Sequence, residues 1–491
     1  MTHPLSRRID DVLALDPTAR ALEFDGRWWT WGQLAAVSRP IAELVSAGSG
    51  GGGARVGIML RNQPAHVAAL LGVLSAGGTV VVINPARGGE RIRDDLATLR
   101  LPILIGTAED LAAHHVDSPA TTVVTISDLD AAPAVVPAQS PVDDAGRPGV
   151  AVWMLTSGTT GPPKRVDLTY DMLAHSVIGR DPAHAPTPTE LRRGVAIVNS
   201  PLVHVGGVFR ILLCIAEARP FVLLAKFDLG RWAAAVREHR PRAVSLVPAA
   251  LRMVLHSDLT RDDLSSLRVV TSGTAPLSAD DADAFTEKFG IPVLTSYAAT
   301  EFGGGVASWT LSDHQQYWKA KRGSVGRVNP GAQLRVIDEA GNPLPAGEQG
   351  ILEVKPAQLG PDADWMRTTD LARIDTDGFV WILGRADQAI IRGGFKIMPD
   401  DVRAALEAHP SVRGAAVVGR PDDRLGEVPV AMVELRADAQ PAELTEFLAQ
   451  RLARYEIPAD IRVVPEIPRT PSGKPDLGAV RAHLTQATHG T

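Results

Sequence analysis

The apolar and polar positions in the first two thirds of the chain alternate between short β-branched runs and longer amphipathic stretches. Trp31–Ala47 and Trp232–Arg240 have the spacing of helices that bury one face. The runs predicted as buried strands are Arg55–Leu60, Thr79–Ile83, Pro102–Ile105, Thr121–Ile126, Ala243–Val247 and Leu267–Ser272. Strand–helix alternation of this kind predicts α/β layers with largely parallel sheets.

A different pattern begins near residue 320. Gln333–Lys355 shows a strand, turns at Gly341-Asn342 and Gly347–Gly350, and a second strand, which predicts an antiparallel or barrel-like piece. Beyond Gly384 the pattern becomes α+β, with a predicted helix at Pro399–His409 and a strand at Gly414–Val418. A further helix face is marked by Leu444, Phe447, Leu448, Leu452 and Tyr455.

These patterns predict a multidomain α/β protein. Residues 1–386 form a large N-terminal domain of α/β sheet layers plus a barrel-like subdomain, and residues 387–491 form a small α+β C-terminal domain. The length of 491 residues exceeds what one hydrophobic core usually serves, which also favours at least two domains.

Composition narrows the classes of partner. The net charge of −6 offers no broad attraction for a polyanion, so we expect no nucleic-acid partner. The longest uncharged apolar stretch, Val67–Ile83, is shorter than a membrane span, and Gly77-Gly78 splits it into a helix and a strand. The N-terminus lacks the pattern of a signal peptide. We therefore expect a cytoplasmic protein without membrane insertion, whose single cysteine, Cys214, acts as a buried hydrophobe.

The sharpest local signal is a loop suited to phosphate. Met154-Leu-Thr-Ser-Gly-Thr-Thr-Gly-Pro-Pro-Lys164 follows a strand-like lead-in, and its glycines let the backbone approach closely. Lys164 follows a proline, so this is not the Walker sequence. The groups predicted to hold phosphate belong to Thr156, Ser157, Gly158, Thr159, Thr160, Gly161 and Lys164.

This stretch closely resembles the signature of the ANL superfamily of adenylate-forming enzymes, which includes acyl-CoA synthetases, peptide-synthetase adenylation domains and firefly-type luciferases. The other motifs follow in the family's order, from Trp29-Thr30-Trp31 to Lys474. The resemblance implies a large domain that holds acid and ATP, and a small mobile domain that swings between an adenylating and a thioester-forming pose. It implies ATP, Mg²⁺ and coenzyme A as cofactors or co-substrates.

Ser296-Tyr-Ala-Ala-Thr-Glu301 resembles the family's Tyr-Gly-x-Thr-Glu. The resemblance implies that Tyr297 lies against adenine, that Thr300 reaches a phosphate and that Glu301 holds Mg²⁺, a hard cation that prefers carboxylate oxygen. Ala298 stands where the family usually has glycine.

Ser272-Gly-Thr-Ala-Pro-Leu277 resembles the family segment whose backbone runs along adenine and the acid, which implies nucleotide contacts from Thr274, Ala275 and Pro276. A plain turn at the end of a strand is the alternative interpretation.

Two further motifs concern the ribose and the domain boundary. Thr368-Thr-Asp370 resembles Thr-Gly-Asp, whose carboxylate accepts both ribose hydroxyls. Arg385 would also contact the ribose region, and Asp387 would be the hinge. Thr369 replaces the family's glycine, and Gln388 replaces a common second acid.

The last motifs belong to the small domain. Arg392-Gly-Gly-Phe-Lys396 resembles the loop that lines the pantetheine tunnel, where Gly393 and Gly394 would let the thiol arm pass. Pro468-Arg-Thr-Pro-Ser-Gly-Lys474 resembles the motif of the catalytic lysine. Lys474 would bridge the substrate carboxylate and the α-phosphate of ATP.

The acid is less well specified. Pro201-Leu-Val-His-Val-Gly-Gly207 resembles the segment that borders the acid pocket, with His204 at the gating position, although a purely structural histidine is the alternative. The peptide-synthetase Phe-Asp that binds an amino group is missing after this segment, which disfavours an amino acid. The residues predicted to line the pocket are His204, Val205, Gly206, Gly207, Gly303 and Gly304. Because glycines leave room, we expect a bulky apolar carboxylic acid.

The sequence thus favours an AMP-forming acid–coenzyme A ligase acting on a small-molecule acid. Transfer of the adenylate to a carrier-protein thiol or an amine is the alternative within the enzyme class. A nucleotide-binding protein that has lost catalysis is the alternative outside it, raised by Ala298, Thr369 and Gln388. The sequence leaves open whether the chain forms a homodimer.

Overall fold

The computed structural model describes residues 2–48, 53–86, 89–114, 119–141, 144–156, 164–392, 395–422, 424–470 and 473–486. Within these ranges the helices are α1 Pro4–Leu15, α2 Trp31–Gly48, α3 Pro64–Ser75, α4 Gly89–Leu99, α5 Ala108–Ala113, α6 Tyr170–Val177, α7 Val205–Ala216, α8 Leu229–His239, α9 Pro248–Leu255, α10 Ala279–Phe289, α11 Leu311–Tyr317, α12 Pro399–Glu407, α13 Pro441–Ala449 and α14 Leu477–Gln486.

The strands come from all parts of the chain. They are β1 Arg20–Phe24, β2 Arg27–Thr30, β3 Arg55–Met59, β4 Thr79–Ile83, β5 Ile103–Gly106, β6 Thr122–Thr125, β7 Ala134–Val136, β8 Val150–Thr156, β9 Lys164–Thr169, β10 Ala196–Val198, β11 Phe221–Leu223, β12 Ala243–Ser245, β13 Val269–Ser272, β14 Val293–Ala299, β15 Gly304–Ser308, β16 Arg327–Val328, β17 Gln333–Ile337, β18 Gln349–Lys355, β19 Met366–Ile374, β20 Val380–Arg385, β21 Ile390–Arg392, β22 Phe395–Ile397, β23 Val412–Asp422, β24 Gly426–Leu435 and β25 Ile461–Val464.

The largest sheet has the order β7-β6-β5-β3-β4-β8-β9, and its central strands run parallel. All five residues of β4 are buried, as expected for a strand covered on both faces. Helix α2 begins with a reciprocal cap, because the Thr30 hydroxyl accepts from the Gln33 amide while the Gln33 side chain accepts from Thr30 N–H. The predicted α/β layers are confirmed in this part of the chain.

A second layer positions the candidate site. Its sheet has the order β12-β13-β14-β15-β16, in which β12, β13 and β14 are parallel and β15 and β16 are antiparallel. A third sheet, β10-β11-β1-β2, packs its buried strands into the same core as α1, α2, α3 and α7. The carboxyl ends of parallel strands are where open α/β sheets bind ligands.

The piece predicted as antiparallel or barrel-like is the antiparallel sheet β17-β18-β19-β20. This sheet is open, since its edge strands β17 and β20 do not pair with each other within the described residues. Leu352, Val354 and Ala372 are fully buried and pack against Phe302 and Val306 of the second layer. This packing fixes the antiparallel sheet beside the end of β14.

The C-terminal part has its own sheet, β22-β21-β24-β23, with β25 parallel to β24. The chain leaves one sheet at Arg385 and enters the other at Ile390. This change of sheet is compatible with a domain boundary at Asp387, and the division itself stays a prediction.

Two predicted helices were too long, and the one predicted at Pro399–His409 ends at Glu407. Helix α13 ends at Ala449, so Leu452 and Tyr455 lie beyond it. They nevertheless pack, partly buried, against the same core as Leu444 and Leu448. The apolar spacing therefore reported the shared core correctly and the helix length incorrectly. No helix in the described ranges is long and apolar enough to cross a membrane.

Candidate active site

The ends of the predicted phosphate loop are held together by a strand pair. Thr156 at the end of β8 pairs with Lys164 at the start of β9. Ser157, Gly158, Thr159, Thr160 and Gly161 lie outside the described residues, so their assignment stays a prediction. Lys164 is exposed and lines an open cleft of 490 Å³ that Glu301, Met366 and Trp153 also line. The predicted loop lysine and the predicted magnesium carboxylate therefore face one space.

Asp370 and Tyr297 meet where two sheets come together. The Tyr297 hydroxyl donates to the Asp370 carboxylate. Asp370 lies opposite Arg385 in the ladder between β19 and β20, and its N–H donates to the Thr368 hydroxyl at 3.0 Å. Burial raises the pKa of Asp370, and burial together with the neighbouring Asp370 charge raises the pKa of Tyr297. A largely buried carboxylate thus stands beside an aromatic ring, as the predicted ribose and adenine contacts require.

Lys474 comes from the C-terminal part and reaches the same region. Burial lowers the pKa of its ammonium, and the nearby Arg385 guanidinium lowers it further. The charges of Asp370 and Glu301 act in the opposite direction and raise it. Lys474 therefore lies within electrostatic range of three predicted nucleotide residues that are distant in sequence.

Glu301 is presented by a short 3-10 helix, Thr300–Phe302, directly after β14. Phe302 is buried while Glu301 is exposed, so the aromatic ring anchors the turn and leaves the carboxylate accessible. Gly303 ends the turn with φ +67°, a left-handed conformation that favours glycine. Its neighbour Met172 lies so close that a Cβ at Gly303 would be 2.5 Å from the methionine Cε.

The segment after β13 contains backbone and polar features typical of binding sites. Thr274 has φ +75°, a conformation that costs energy for a residue with a branched Cβ. Ala275 is partly buried and Pro276 is exposed. The buried Ser272 hydroxyl has no hydrogen-bond partner within the described residues. Neither feature is explained by packing alone, which supports a ligand contact here.

Ser296 packs beside this segment, since a Cβ at Gly273 would lie 2.9 Å from the Ser296 hydroxyl. Ala298, the residue that replaces the family's usual glycine, is exposed and pairs with Gly305 of β15. Its methyl group therefore displaces no packed neighbour.

The predicted acid pocket is only partly as expected. His204 caps α7 in an extended conformation, with Val205 as the first helical residue. A Cβ at Gly206 would meet nothing within 4 Å, so this glycine does leave open space. A Cβ at Gly207 would lie 2.2 Å from the Pro201 carbonyl oxygen, because the loop crosses the helix start there.

The other pocket glycines also accommodate neighbours. Gly303 makes room for Met172, and a Cβ at Gly304 would lie 2.7 Å from Nε2 of Gln358 and 2.9 Å from Oγ of Ser176. At Gly207, Gly303 and Gly304 a neighbouring atom therefore occupies the space beside the backbone, and a bulky acid stays a prediction. A glycine in a sequence can mark either open space in a pocket or close packing against a neighbour, and the sequence alone does not distinguish them.

Thr369, the second departure from the family pattern, has a partner. Its hydroxyl accepts from Arg385 Nη2 at 2.5 Å, and Arg385 forms an ion pair with Asp387 at 2.8 Å. The predicted ribose arginine and the predicted hinge are thus in direct contact. Gly393 and Gly394, predicted to line the pantetheine tunnel, lie outside the described residues.

Two arginines were missed from the sequence. Arg210 lies inside the otherwise apolar helix α7, and that isolated charge was the available signal. Arg252 contacts both Asp281 and Glu407 at 2.7 and 2.8 Å, and no local pattern marks it.

The donors and acceptors fit ATP with a divalent cation. Asp370 offers acceptor lone pairs for a vicinal diol, Glu301 offers hard oxygen for Mg²⁺, and Lys164 and Lys474 offer cations for phosphate. The buried Ser272 hydroxyl adds a donor beside them.

Comparison with known proteins gives concordant results. The chain is 30% identical to a feruloyl-CoA synthase of an Amycolatopsis species, covering 95% of this chain and 96% of that protein. It is also 30% identical to a sulfoacetate–CoA ligase of Cupriavidus necator, covering 91% of each. Its structure matches ATP-bound MatB from Rhodopseudomonas palustris with a TM-score of 0.82, at 26% identity over 99% of this chain and 100% of that one.

Family models cover most of the sequence. The model described as AMP-binding enzyme matches residues 9–361, and the model described as AMP-binding enzyme C-terminal domain matches residues 401–474. Both matches agree with the motifs and with the adenylate-forming fold. The chain belongs to the AMP-binding enzyme family.

Proposed function

We propose that this chain activates a small carboxylic acid with ATP and transfers the acyl group to coenzyme A, releasing pyrophosphate and AMP. The observation that supports this most directly is that Tyr297 bonds to Asp370 opposite Arg385, where the charges of Asp370, Arg385 and Glu301 act on Lys474. Membership of the AMP-binding enzyme family and the ligase relatives make the chain an acid–coenzyme A ligase that uses ATP, Mg²⁺ and coenzyme A.

In the first half-reaction a carboxylate oxygen of the acid attacks the α-phosphorus of ATP. The bond from that phosphorus to the bridging oxygen of the β-phosphate breaks, and pyrophosphate leaves. Both reactants are anions, so the site must offset their repulsion and align them. Lys474 supplies an ammonium between the carboxylate and the α-phosphate, and Lys164 supplies charge toward the leaving pyrophosphate.

The nucleotide is held by groups on the N-terminal part. Asp370 accepts from the ribose hydroxyls, Tyr297 lies against adenine, and Arg385 contacts the ribose region. Thr300 reaches a phosphate, and Glu301 would hold Mg²⁺, which would neutralise phosphate charge when bound. The backbone of Thr274, Ala275 and Pro276 borders the adenine.

In the second half-reaction the thiol of coenzyme A loses its proton to solvent and attacks the acyl carbon, and AMP leaves with the bond electrons. The small domain would turn about Asp387 to bring Gly393 and Gly394 to the site. His204 gates the acid side of the pocket. These roles rest on the resemblance and on the positions described above.

The names of the relatives do not fix the acid. One is named for a phenolic acid and another for a sulfonated one, and these differ in size and charge. The pocket geometry of this chain must therefore decide the substrate class.

The direct test combines the purified chain with ATP, Mg²⁺, coenzyme A and a panel of acids. We expect acid-dependent pyrophosphate and AMP, and a thioester identified by mass spectrometry. Adenylate formation without thioester would instead favour a carrier-protein thiol or an amine as acceptor. Absence of AMP with every acid would contradict the proposed function.

A further inference from the structure

Helix α7, whose first residues are predicted to border the acid, contains an isolated positive charge. The helix reads Val205-Gly-Gly-Val-Phe-Arg-Ile-Leu-Leu-Cys-Ile-Ala216, and Arg210 is its only ionised residue at neutral pH. Arg210 follows Gly206 by four positions, so both lie on the same face of the helix. That is the face where a Cβ at Gly206 would meet nothing within 4 Å. Gly206 and Arg210 therefore share a helix face that has open space beside Gly206.

The charge of Arg210 is not neutralised within the part of the chain that the structure describes. No Asp or Glu carboxylate of those residues lies within 4.0 Å of its guanidinium, whereas most other partly buried arginines have such a partner. Its hydrogen bond goes to a neutral group, the Thr271 hydroxyl, at 3.3 Å. The nearby Cys214 does not compensate, because burial raises the pKa of that thiol to about 12.

An arginine in this environment is costly unless something anionic joins it. Burial lowers the pKa of Arg210, which reports the poor solvation of its charge. The guanidinium nevertheless stays protonated at neutral pH. An unpaired charge removed from water is strongly unfavourable, and a bound carboxylate or sulfonate would offset that cost. The side chain retains some exposed surface, so a ligand can reach it.

The position of Arg210 links this charge to the nucleotide site. Thr271 immediately precedes Ser272, whose buried hydroxyl also has no described partner. Gly273 then packs against Ser296, one residue before Tyr297. Arg210 thus lies beside the carboxyl end of β13, at Thr271, two residues before Gly273. Open α/β sheets bind their ligands at this edge.

We propose that Arg210 binds a second anionic group of the acid substrate, a carboxylate or sulfonate remote from the carboxylate that is adenylated. This inference rests on the proposed function and names its substrate class: acids with two negative charges rather than the bulky apolar acids that the glycine pattern suggested. Arg210 is the specificity-determining residue. A planar guanidinium suits this task because it can donate two parallel hydrogen bonds to one anionic group.

A different assignment for Arg210 is contact with the reacting carboxylate or with ATP phosphate. In that arrangement every acid would depend on Arg210 equally. The two assignments therefore differ in a measurable way, since only recognition of a remote anion makes the dependence specific to dianionic acids.

The test compares pairs of acids of equal chain length in a pyrophosphate-release assay. Straight-chain monocarboxylates from butanoate to octanoate are paired with the corresponding α,ω-dicarboxylates and ω-sulfonates. For the unmodified enzyme we expect kcat/KM to be about 10- to 100-fold higher for at least one dianionic acid than for its monocarboxylate, the size expected for hydrogen bonds to a charged group. The series with the higher kcat/KM, dicarboxylates or ω-sulfonates, shows whether the remote anion is a carboxylate or a sulfonate.

Variants then locate the preference. Arg210→Met keeps the length of the side chain and removes the charge, so it should lower kcat/KM about 10- to 100-fold for the dianionic acid and leave the monocarboxylate nearly unchanged. Arg210→Lys should retain part of the preference. Arg219→Met is the matched control, because Arg219 lies just beyond the same helix and pairs with Glu217 at 2.9 Å.

The failures of the two proposals are distinguishable. Turnover of monocarboxylates as efficiently as their dianionic partners by the unmodified enzyme would overturn this inference and leave the ligase function standing. An equal loss for both acids in Arg210→Met, with the fold intact by circular dichroism, would assign Arg210 to the reacting carboxylate or ATP and overturn it as well. No AMP from any acid would contradict the proposed function itself.

Discussion

Two residues that depart from the family pattern, Thr369 and Ala298, are accommodated locally in this structure. Thr369 occupies the position of a family glycine, and its hydroxyl accepts from Arg385. Ala298 replaces another glycine with its methyl group exposed. The departures therefore leave Asp370, Glu301 and Lys474 in place, which argues against a protein that has lost catalysis.

Lys474 allows the sharpest test of a single side chain. We expect Lys474→Ala to slow acid-dependent pyrophosphate release about 10²–10³-fold, because a positioned charge at the transition state is removed. Thioester formation from a supplied acyl-adenylate should change little, since the charge acts on the phosphate transfer. Exposed Lys319 provides the control Lys319→Ala. Equal losses in both half-reactions would contradict the role assigned to Lys474.

Asp370 predicts how ATP binding depends on pH. Burial raises its pKa above the ordinary 3.8, outweighing the hydrogen bond from Tyr297 and the charges of Arg385 and Lys474, while Asp387 adds to the rise. Between pH 3.8 and the raised pKa, Asp370 holds a proton in the folded protein that it has released in the unfolded chain. Its contribution to the free energy of unfolding therefore falls as the pH rises through this interval.

The ribose hydroxyls donate best to an ionised Asp370 carboxylate. The affinity for ATP should therefore rise as the pH rises through the same interval. Titration calorimetry over a pH series that begins near 3.8 and continues to neutral pH should show this rise for the unmodified chain, on the order of the change expected for a charged hydrogen bond. Asp370→Asn should bind ATP more weakly with a flat profile. If the ATP affinity of Asp370→Asn depended on pH in the same way as that of the unmodified chain, the titrating group would be a residue other than Asp370.

At the scale of elements, the sequence predicted most of the framework. Strands such as Thr79–Ile83 were recognisable because a short β-branched run between turn residues, here Gly77-Gly78 before it and Asn84-Pro85 after it, is typical of a buried strand. Helix α13 was overextended because Leu452 and Tyr455 pack on the same core after the helix has ended. The glycines of the acid pocket gave no comparable indication, because a neighbour such as Met172, which lies against Gly303, comes from a distant part of the chain. Tertiary contacts of this kind leave no local signal.

The start of α7 offers a matched pair of glycines. Gly207→Ala would put a Cβ 2.2 Å from the Pro201 carbonyl oxygen in a buried contact, so we expect destabilisation of about 1–3 kcal/mol and displacement of the neighbouring His204. Gly206→Ala meets nothing within 4 Å and should leave the free energy of unfolding nearly unchanged. Chemical denaturation measures both. Equal stability of the two variants would show that the loop does not cross the helix start as closely as described.

At the scale of the whole molecule, the two parts of the chain meet through a few polar contacts as well as at Lys474. Arg252 of α9 donates to Asp281 of α10 and to Glu407 of α12, which belongs to the C-terminal part. The Arg252 and Glu407 side chains are only 13% and 8% exposed. Glu407 also accepts from Arg403 of its own helix. Loss of Arg252 would therefore weaken the contact between the N-terminal and C-terminal parts without leaving Glu407 unpaired.

This contact should stabilise the pose in which Lys474 reaches the nucleotide. Arg252→Met should remove about 1.5–3 kcal/mol of the free energy that favours this pose. The equilibrium constant for forming the pose would then fall about 10- to 100-fold. We expect pyrophosphate release to fall by up to that factor and thioester formation from a supplied adenylate to be retained, with faster proteolysis near Asp387. Arg237→Met is the control, since Arg237 pairs with Asp263 within the N-terminal part. Unchanged pyrophosphate release in Arg252→Met would mean that the pose does not depend on this contact. An equal fall in both half-reactions would indicate damage to the N-terminal part rather than a weaker contact between the two parts.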